Sequence, residues 1–175
     1  MRLEAAREEE TAAVCRFYEE VCRFQETQPY GPKWHYGLYP TPEDLAGHVR
    51  RGRMYLLRQD GAIAAALALP RGEDPMYRDV PFTVKTEPVF VLHLFAVHPD
   101  FRGRGLGRAA LRALLQLAKD KGTRTVHLDV VAGNLPAERL YQSLGFRFVQ
   151  EREVWYPDTG DVTVRLYEYD LTGTA

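Results

Sequence analysis

Only two cysteines, Cys15 and Cys22, occur in 175 residues. They stand seven apart in a helical pattern, about 10 Å along the axis, too far for a disulfide. A disulfide scaffold is excluded, and a thiol-based metal or redox centre is not expected. Net charge is −1, so nothing pulls the whole chain toward nucleic acid or an anionic membrane. Long apolar runs are missing; "AIAAALALP" is the longest and is far too short to span a bilayer. The start, "MRLEAAREEE", is charged and lacks the apolar stretch of a signal peptide. A cytoplasmic protein is the expectation. No repeat or long linker divides the chain, so residues 1–175 are expected to form a single domain.

What the chain does have is periodicity. Val14, Phe17, Tyr18, Val21 and Phe24 make a helical stripe within 8–26. Thr41 caps a second helix, with Pro42 at its first position and Glu43 and Asp44 behind it; Gly52 ends it. "MYLLRQDGAIAAALAL" reads as a hairpin about Asp60-Gly61. Residues 70–86 have little periodicity and read as a loop. "PVFVLHLFAV" (88–97) is apolar on both faces and so reads as a central strand. A helix over 105–121, a strand over 125–131, a short helix over 135–144 and two closing strands follow. The order β-α-α-β-β-β-α-β-α-β-β predicts a mixed α/β sheet with one parallel crossover over 88–131.

Between that central strand and the third helix lies "HPDFRGRGLGRAALRALL". Gly103, Gly105 and Gly107 alternate with Arg104 and Leu106, and Arg102, Arg108 and Arg112 flank them. The first four N–H groups of a helix have no internal partner, and the dipole there is positive. Glycine lets a ligand approach the backbone closely. The turn therefore reads as a phosphate cradle. It is not a P-loop, because no lysine and no Ser or Thr follow the glycines, and its spacing misses the dinucleotide fingerprint.

The run Arg102-Gly103-Arg104-Gly105-Leu106-Gly107 matches the Gln/Arg-x-x-Gly-x-Gly/Ala motif of the GNAT superfamily of acyl-CoA-dependent N-acyltransferases. "LFAVHPDF" before it resembles the exit of that superfamily's fourth strand, and "VVAGNLPAERLYQSLGF" resembles its second signature. The resemblance covers nearly the whole chain. It implies a single mixed sheet of about seven strands flanked by four helices, with a splayed parallel pair. It implies acetyl-CoA as co-substrate and no metal. The pyrophosphate would sit on the backbone of 103–108, with Arg102 alongside and Arg104 and Arg108 within reach of the 3′-phosphate. The pantetheine arm would follow the main chain of Phe95, Ala96 and Val97, Asn134 would touch it, and Tyr141 would face the sulfur. The acceptor would be a primary amine of a small molecule or peptide, with no nucleic acid or membrane partner; family habit also suggests a homodimer. The alternative is a GNAT-fold module that binds acyl-CoA without catalysis, against which the presence of Tyr141 argues.

Acetyl transfer needs a deprotonated amine, a stabilised oxyanion and a protonated leaving thiolate. The Phe95 N–H is the expected oxyanion donor. Tyr141, a phenol of ordinary pKa about 10, can protonate a thiolate whose acid lies near 8.5. His93 is a candidate base or water-relay partner; two residues before Phe95, it is expected on the same strand face, and its other reading is a core histidine. Glu87, at the strand's beginning, could bind or deprotonate a cationic amine, or be an exposed strand-end carboxylate. Asp129 is expected to accept a structural hydrogen bond, and Glu168 to line the pocket or face solvent. Tyr30, Trp34, His35, Tyr36 and Tyr39 either cage an ammonium group or form a small core anchoring their loop.

Overall fold

The computed structural model describes residues 1–72, 74–84, 88–156 and 159–173. Its centre is one βαβ crossover. Strand β4 (Val89–Val97) runs into helix α3 (Leu106–Asp120), which returns the chain to β5 (Thr125–Val131), parallel to β4. Leu106, Ala110, Leu111, Leu114, Leu115 and Ala118 form the buried stripe of α3, and Gly122, at φ +68°, ends the helix in the left-handed conformation that glycine adopts freely. All other strand pairs are antiparallel. On one side β4 pairs with the hairpin β2 (Met54–Gln59) and β3 (Ala62–Ala68), beyond which lies β1 (Leu3–Ala5). On the other, β5 pairs with β7 (Gly160–Asp170), which pairs with β6 (Arg147–Tyr156). The result is a seven-stranded mixed sheet ordered β1-β2-β3-β4-β5-β7-β6.

Four helices cover it. α1 (Thr11–Gln25) and α2 (Pro42–Arg50) pack on one face, where Val14, Tyr18, Val21, Leu45 and Leu94 are buried together. α3 and α4 (Leu135–Ser143) cover the other, over Leu92, Val126, Leu128 and Tyr167. The Thr41 cap is complete: its hydroxyl accepts from Asp44 N at 3.0 Å, and its own N–H donates to Asp44 Oδ2 at 2.9 Å. Among the described residues no helix is long and apolar enough to cross a membrane, and no group of three or more His, Cys, Asp or Glu side chains could hold a metal ion.

Two features bear on the middle of the sheet. First, β4 carries a bulge. Ala66 pairs with Ala96 and Ala68 with His93, so two residues of β3 span three of β4. Leu94 takes φ +54°, which a branched side chain rarely adopts. The buried Tyr18 hydroxyl holds it there, donating to the Leu94 carbonyl at 2.6 Å. Tyr18→Phe should cost about 1–3 kcal/mol, the worth of a buried carbonyl left unpaired. Denaturant titration measures this; a wild-type midpoint would mean that the bulge holds itself.

Second, the segment 74–84 is tied to the sheet. Glu168, 2% exposed, was expected at the pocket or in solvent. Instead its two oxygens accept from Thr83 N at 2.9 Å and Val84 N at 2.8 Å. Two backbone donors compensate the burial of the carboxylate. Beside it the His127 ring stacks on Phe82 at 3.5 Å, and burial pushes its imidazole well below the ordinary range. His48 is likewise pushed down, to about 4, by burial first and then by nearby His93 and Arg53. A base whose folded pKa lies below its unfolded value near 6.5 contributes full stability above that value and loses it as pH falls toward 4. His48 alone should cost the fold about 1–2 kcal/mol between pH 7 and pH 5. Urea unfolding at the two pH values checks this, and His48→Asn should flatten the dependence.

Candidate active site

The pairing of β4 with β5 stops early. Register runs from Val89 opposite Thr125 to Leu92 opposite Leu128. Beyond that β4 continues to Val97, held by β3, and β5 continues to Val131, held by β7. Each strand follows its outer neighbour, so the parallel pair opens at its C-terminal ends. Bulges increase local twist, and the one at Leu94 lies where the parting begins. A cavity of about 760 Å³ fills the opening, lined on one side by Leu92 to Val97 and on the other by Asp129 to Val131.

At one end of this cavity stands the glycine turn. Gly103 and Gly105 have φ +75° and +74°, and a Cβ at either would meet nothing within 4 Å. They are glycines because of backbone conformation, and the space in front of them is open. Gly107 differs: a Cβ there would lie 3.3 Å from Leu140 and 3.5 Å from Val97, so packing of α3 on α4 and β4 leaves little room for a side chain. Gly105 is the N-cap of α3, and the first helical bond is Ala109 N to Gly105 O at 3.1 Å. Among the described residues the N–H groups of 103–108 donate to no backbone carbonyl. Arg102 lies over the Phe24 ring at 4.7 Å, and Arg108 donates to Ser143 Oγ at 2.9 Å. Both line the cavity, as do Gly103, Gly105, Leu106 and Gly107. Arg104 does not; its guanidinium lies 5.5 Å from the Phe101 ring centroid.

Tyr141, on α4, is buried with its ring near Phe95, Phe146 and Tyr167, and it lines the same cavity. Burial, reinforced by nearby Asp129, pushes its phenol above the ordinary value of about 10. Its proton therefore stays on Oη at neutral pH. Asn134 caps α4 without a side-chain cap bond, and it too lines the cavity.

His93 requires a correction. The extra residue of the bulge reverses the alternation of β4. Phe95 and Val97 pack with the α3 and α4 core, whereas Leu94 and Ala96 pack with α1 and α2. Since Leu92 also packs toward α3, His93 and Phe95 point to opposite faces. His93 still reaches the cavity, where its Nε2 lies 3.0 Å from Asp74 Oδ2. Asp74 in turn caps the 3-10 turn Pro75–Tyr77, accepting from Met76 N at 2.8 Å, and its bond with His93 holds its carboxyl below the ordinary range. Asp129 accepts a hydrogen bond from Tyr77, as its structural reading anticipates, and burial pushes its carboxyl upward. Sequence reading missed Asp74 and Tyr77. Their one local signal is Asp-Pro, a turn-initiating pair inside a stretch read as plain loop.

Glu87 lies outside the described residues. In the aromatic loop, Trp34, Tyr36 and Tyr39 pack against the α1 and α2 core, while Tyr30, Trp34 and Tyr39 line the cavity. Trp34 and Tyr39 thus serve both as anchor and as wall.

The sheet is parted between two parallel strands, and the glycine turn with its free backbone N–H groups borders the gap. Comparison makes this specific. The model of the Acetyltransferase (GNAT) family matches residues 14–146, and the chain belongs to that family. It is 44% identical over 64 residues to the [ribosomal protein bS18]-alanine N-acetyltransferase of Escherichia coli K12. That match covers 37% of this chain and 43% of the relative, so it spans less than half of the curated protein. Among solved structures, a GNAT-family acetyltransferase of Streptococcus agalactiae superposes with TM-score 0.81 at 19% identity, covering 98% of this chain and 96% of that one. The Salmonella typhimurium protein yncA, solved with its cofactor acetyl-CoA, superposes with TM-score 0.70 at 16% identity, covering 100% and 96%. At such identities the likeness is one of fold: a mixed α/β sheet of seven strands with four helices, as the motifs imply.

Proposed function

We propose that this protein transfers the acetyl group of acetyl-CoA to a primary amine of a small molecule or peptide. One observation carries the reading: a single cavity joins the unpaired N–H groups of 103–108 to the parted strands and on to Tyr141, His93 and the aromatic loop. The residues suit the co-substrate. Left-handed glycines with open space before them, a helix N-terminus, and Arg102 and Arg108 beside it suit a pyrophosphate. The edges of Phe95, Ala96 and Val97 and of Asp129 to Val131, which no longer pair with each other, suit an amide-bearing arm. Bound there, acetyl-CoA would supply an activated acetyl thioester. Tyr141 Oη holds a proton for a leaving thiolate. His93, oriented by Asp74, accepts a proton from an incoming amine, directly or through water. Phe95 N–H stabilises a developing oxyanion. The name of the E. coli relative, an alanine N-acetyltransferase, supports an amine acceptor.

The test is purified protein with acetyl-CoA and a pool of polyamines, amino acids, aminoglycosides and short peptides. Mass spectrometry should find a product heavier by one acetyl group, about 42 Da, absent without enzyme. Acetyl-CoA binding without product from this pool or from whole-cell extract would favour a non-catalytic acyl-CoA-binding module. His93→Ala should lower kcat more than it changes acetyl-CoA affinity, because the residue stands beyond the cradle.

A further inference from the structure

We infer that a second pocket behind His93 is an anion site, and that the acceptor is a small amine carrying a carboxylate, a free amino acid by chemical class. The inference rests on acetyl transfer to an amine as proposed above. This second cavity, about 390 Å³, is lined by His48, Arg53, Arg71, Tyr39, Asp74 and His93 among others. The last three also line the main cavity. The Asp74–His93 pair therefore stands between the two spaces.

Arg53 and Arg71 distinguish this pocket. Among the described residues neither guanidinium has a salt-bridge or hydrogen-bond partner. Arg50 pairs with Glu43 at 2.6 Å and Arg58 with Glu10 and Glu4, and neither lines this pocket; Arg53 and Arg71 both do. Hydrogen bonds hold the main chain at both positions. Arg53 N donates to the His48 carbonyl at 2.8 Å, and its own carbonyl accepts from Leu69 N at 2.7 Å. On either side of Arg71, Val91 N donates to Pro70 O at 3.1 Å and Gly72 N donates to Val89 O at 2.9 Å. His48 stays neutral near pH 7, its pKa pushed down to about 4, so it can offer a polar ring atom without adding charge. Two guanidinium groups that line one pocket, neither bonded to a carboxylate of the described residues, give an anion from outside a place to bind.

The neighbouring wall points to a ligand that also bears a cation. Asp74 and His93 border the same pocket, so a carboxylate ligand with an ammonium group beside it meets opposite charge at both ends. A carboxylate also matches the fork of a guanidinium. An α-amino acid bears its ammonium and carboxylate on one carbon. Its carboxylate on the arginine side leaves its nitrogen at Asp74 and His93, facing the main cavity. Asp74 attracts the ammonium there, and His93 can receive its proton.

The test is calorimetric titration of the whole protein, with and without CoA, using each standard L-amino acid. For leucine, phenylalanine and methionine, the amine with hydrogen in place of the carboxylate is titrated alongside. At least one of these three amino acids should bind about tenfold or more tightly than its matched amine, the range expected for hydrogen bonds to a charged group. Arg53→Gln and Arg71→Gln should each remove most of that preference, and Arg71→Lys should restore part of it. Circular dichroism confirms that the variants fold. The inference is overturned if no L-amino acid binds, if the matched pairs bind alike, or if the preference survives both glutamine variants. The two readings fail separately. Acetylation of amines without any carboxylate preference would leave the transferase and remove this site. A preference that depends on Arg53 and Arg71, with no acetylated product, would leave this site and remove the transferase.

Discussion

Tyr141→Phe should lower turnover by about a hundredfold or more, the lower range of what a positioned general acid contributes, while acetyl-CoA affinity stays near wild type. The substitution is clean in packing terms. The ring sits 5.6 Å from Phe146, 6.3 Å from Tyr167 and 6.4 Å from Phe95 by centroids, and phenylalanine fills the same space. No hydrogen bond of the hydroxyl to a described residue is lost with it. Burial keeps the proton on Oη, so the wild-type residue enters every turnover with its proton in place. Burial also makes the phenol a weaker acid, but a thiolate leaving into the same apolar surroundings becomes a stronger base. The proton can therefore move as charge develops. Steady-state kcat and calorimetric affinity for acetyl-CoA decide the matter. Unchanged turnover would remove Tyr141 from the chemistry and leave it a core tyrosine.

Gly105→Val should weaken acetyl-CoA binding by about a hundredfold or more. A cradle that donates several hydrogen bonds to a charged group loses about 1.5–3 kcal/mol for each one broken. The valine does two things. It places bulk where a ligand must approach the backbone, and it puts a β-branched residue at φ +74°, which costs about 1–2 kcal/mol by itself. Gly122→Val separates them. Gly122 has φ +68°, and a Cβ added there would also meet nothing within 4 Å, but it lies at the opposite end of α3. That variant should lose a similar amount of stability and bind acetyl-CoA normally. Equal loss of binding in both variants would mean that general destabilisation, rather than the cradle, is being measured.

The glycine turn could be read from sequence because it is made of consecutive backbone. Its glycines, its arginines and the helix start all lie within 102–108, and the unpaired N–H groups follow from helix geometry alone. The order of strands and helices was legible for the same local reason. Asp60-Gly61 marks a hairpin, Thr41-Pro42 a helix start, and Gly122 a helix end. Tyr141 and Asn134 were legible only through a motif, since nothing in their spacing distinguishes a packed tyrosine from one that faces a ligand.

The surroundings of His93 were not legible, because long-range contacts build them. Leu94 reads as one more apolar residue in a strand, yet it takes the left-handed conformation under a hydrogen bond from Tyr18, 76 positions away. That bulge turns His93 away from Phe95 and toward Asp74, whose segment is anchored by Glu168 from the last strand. Arg53 and Arg71, on different connections, line one pocket only because β3 ends beside the start of β2. Periodicity and turn chemistry report on neighbours in the chain, and so determine the elements and the glycine turn. Which side chains share a pocket depends on pairing and packing between distant segments, and only the folded sheet decided that.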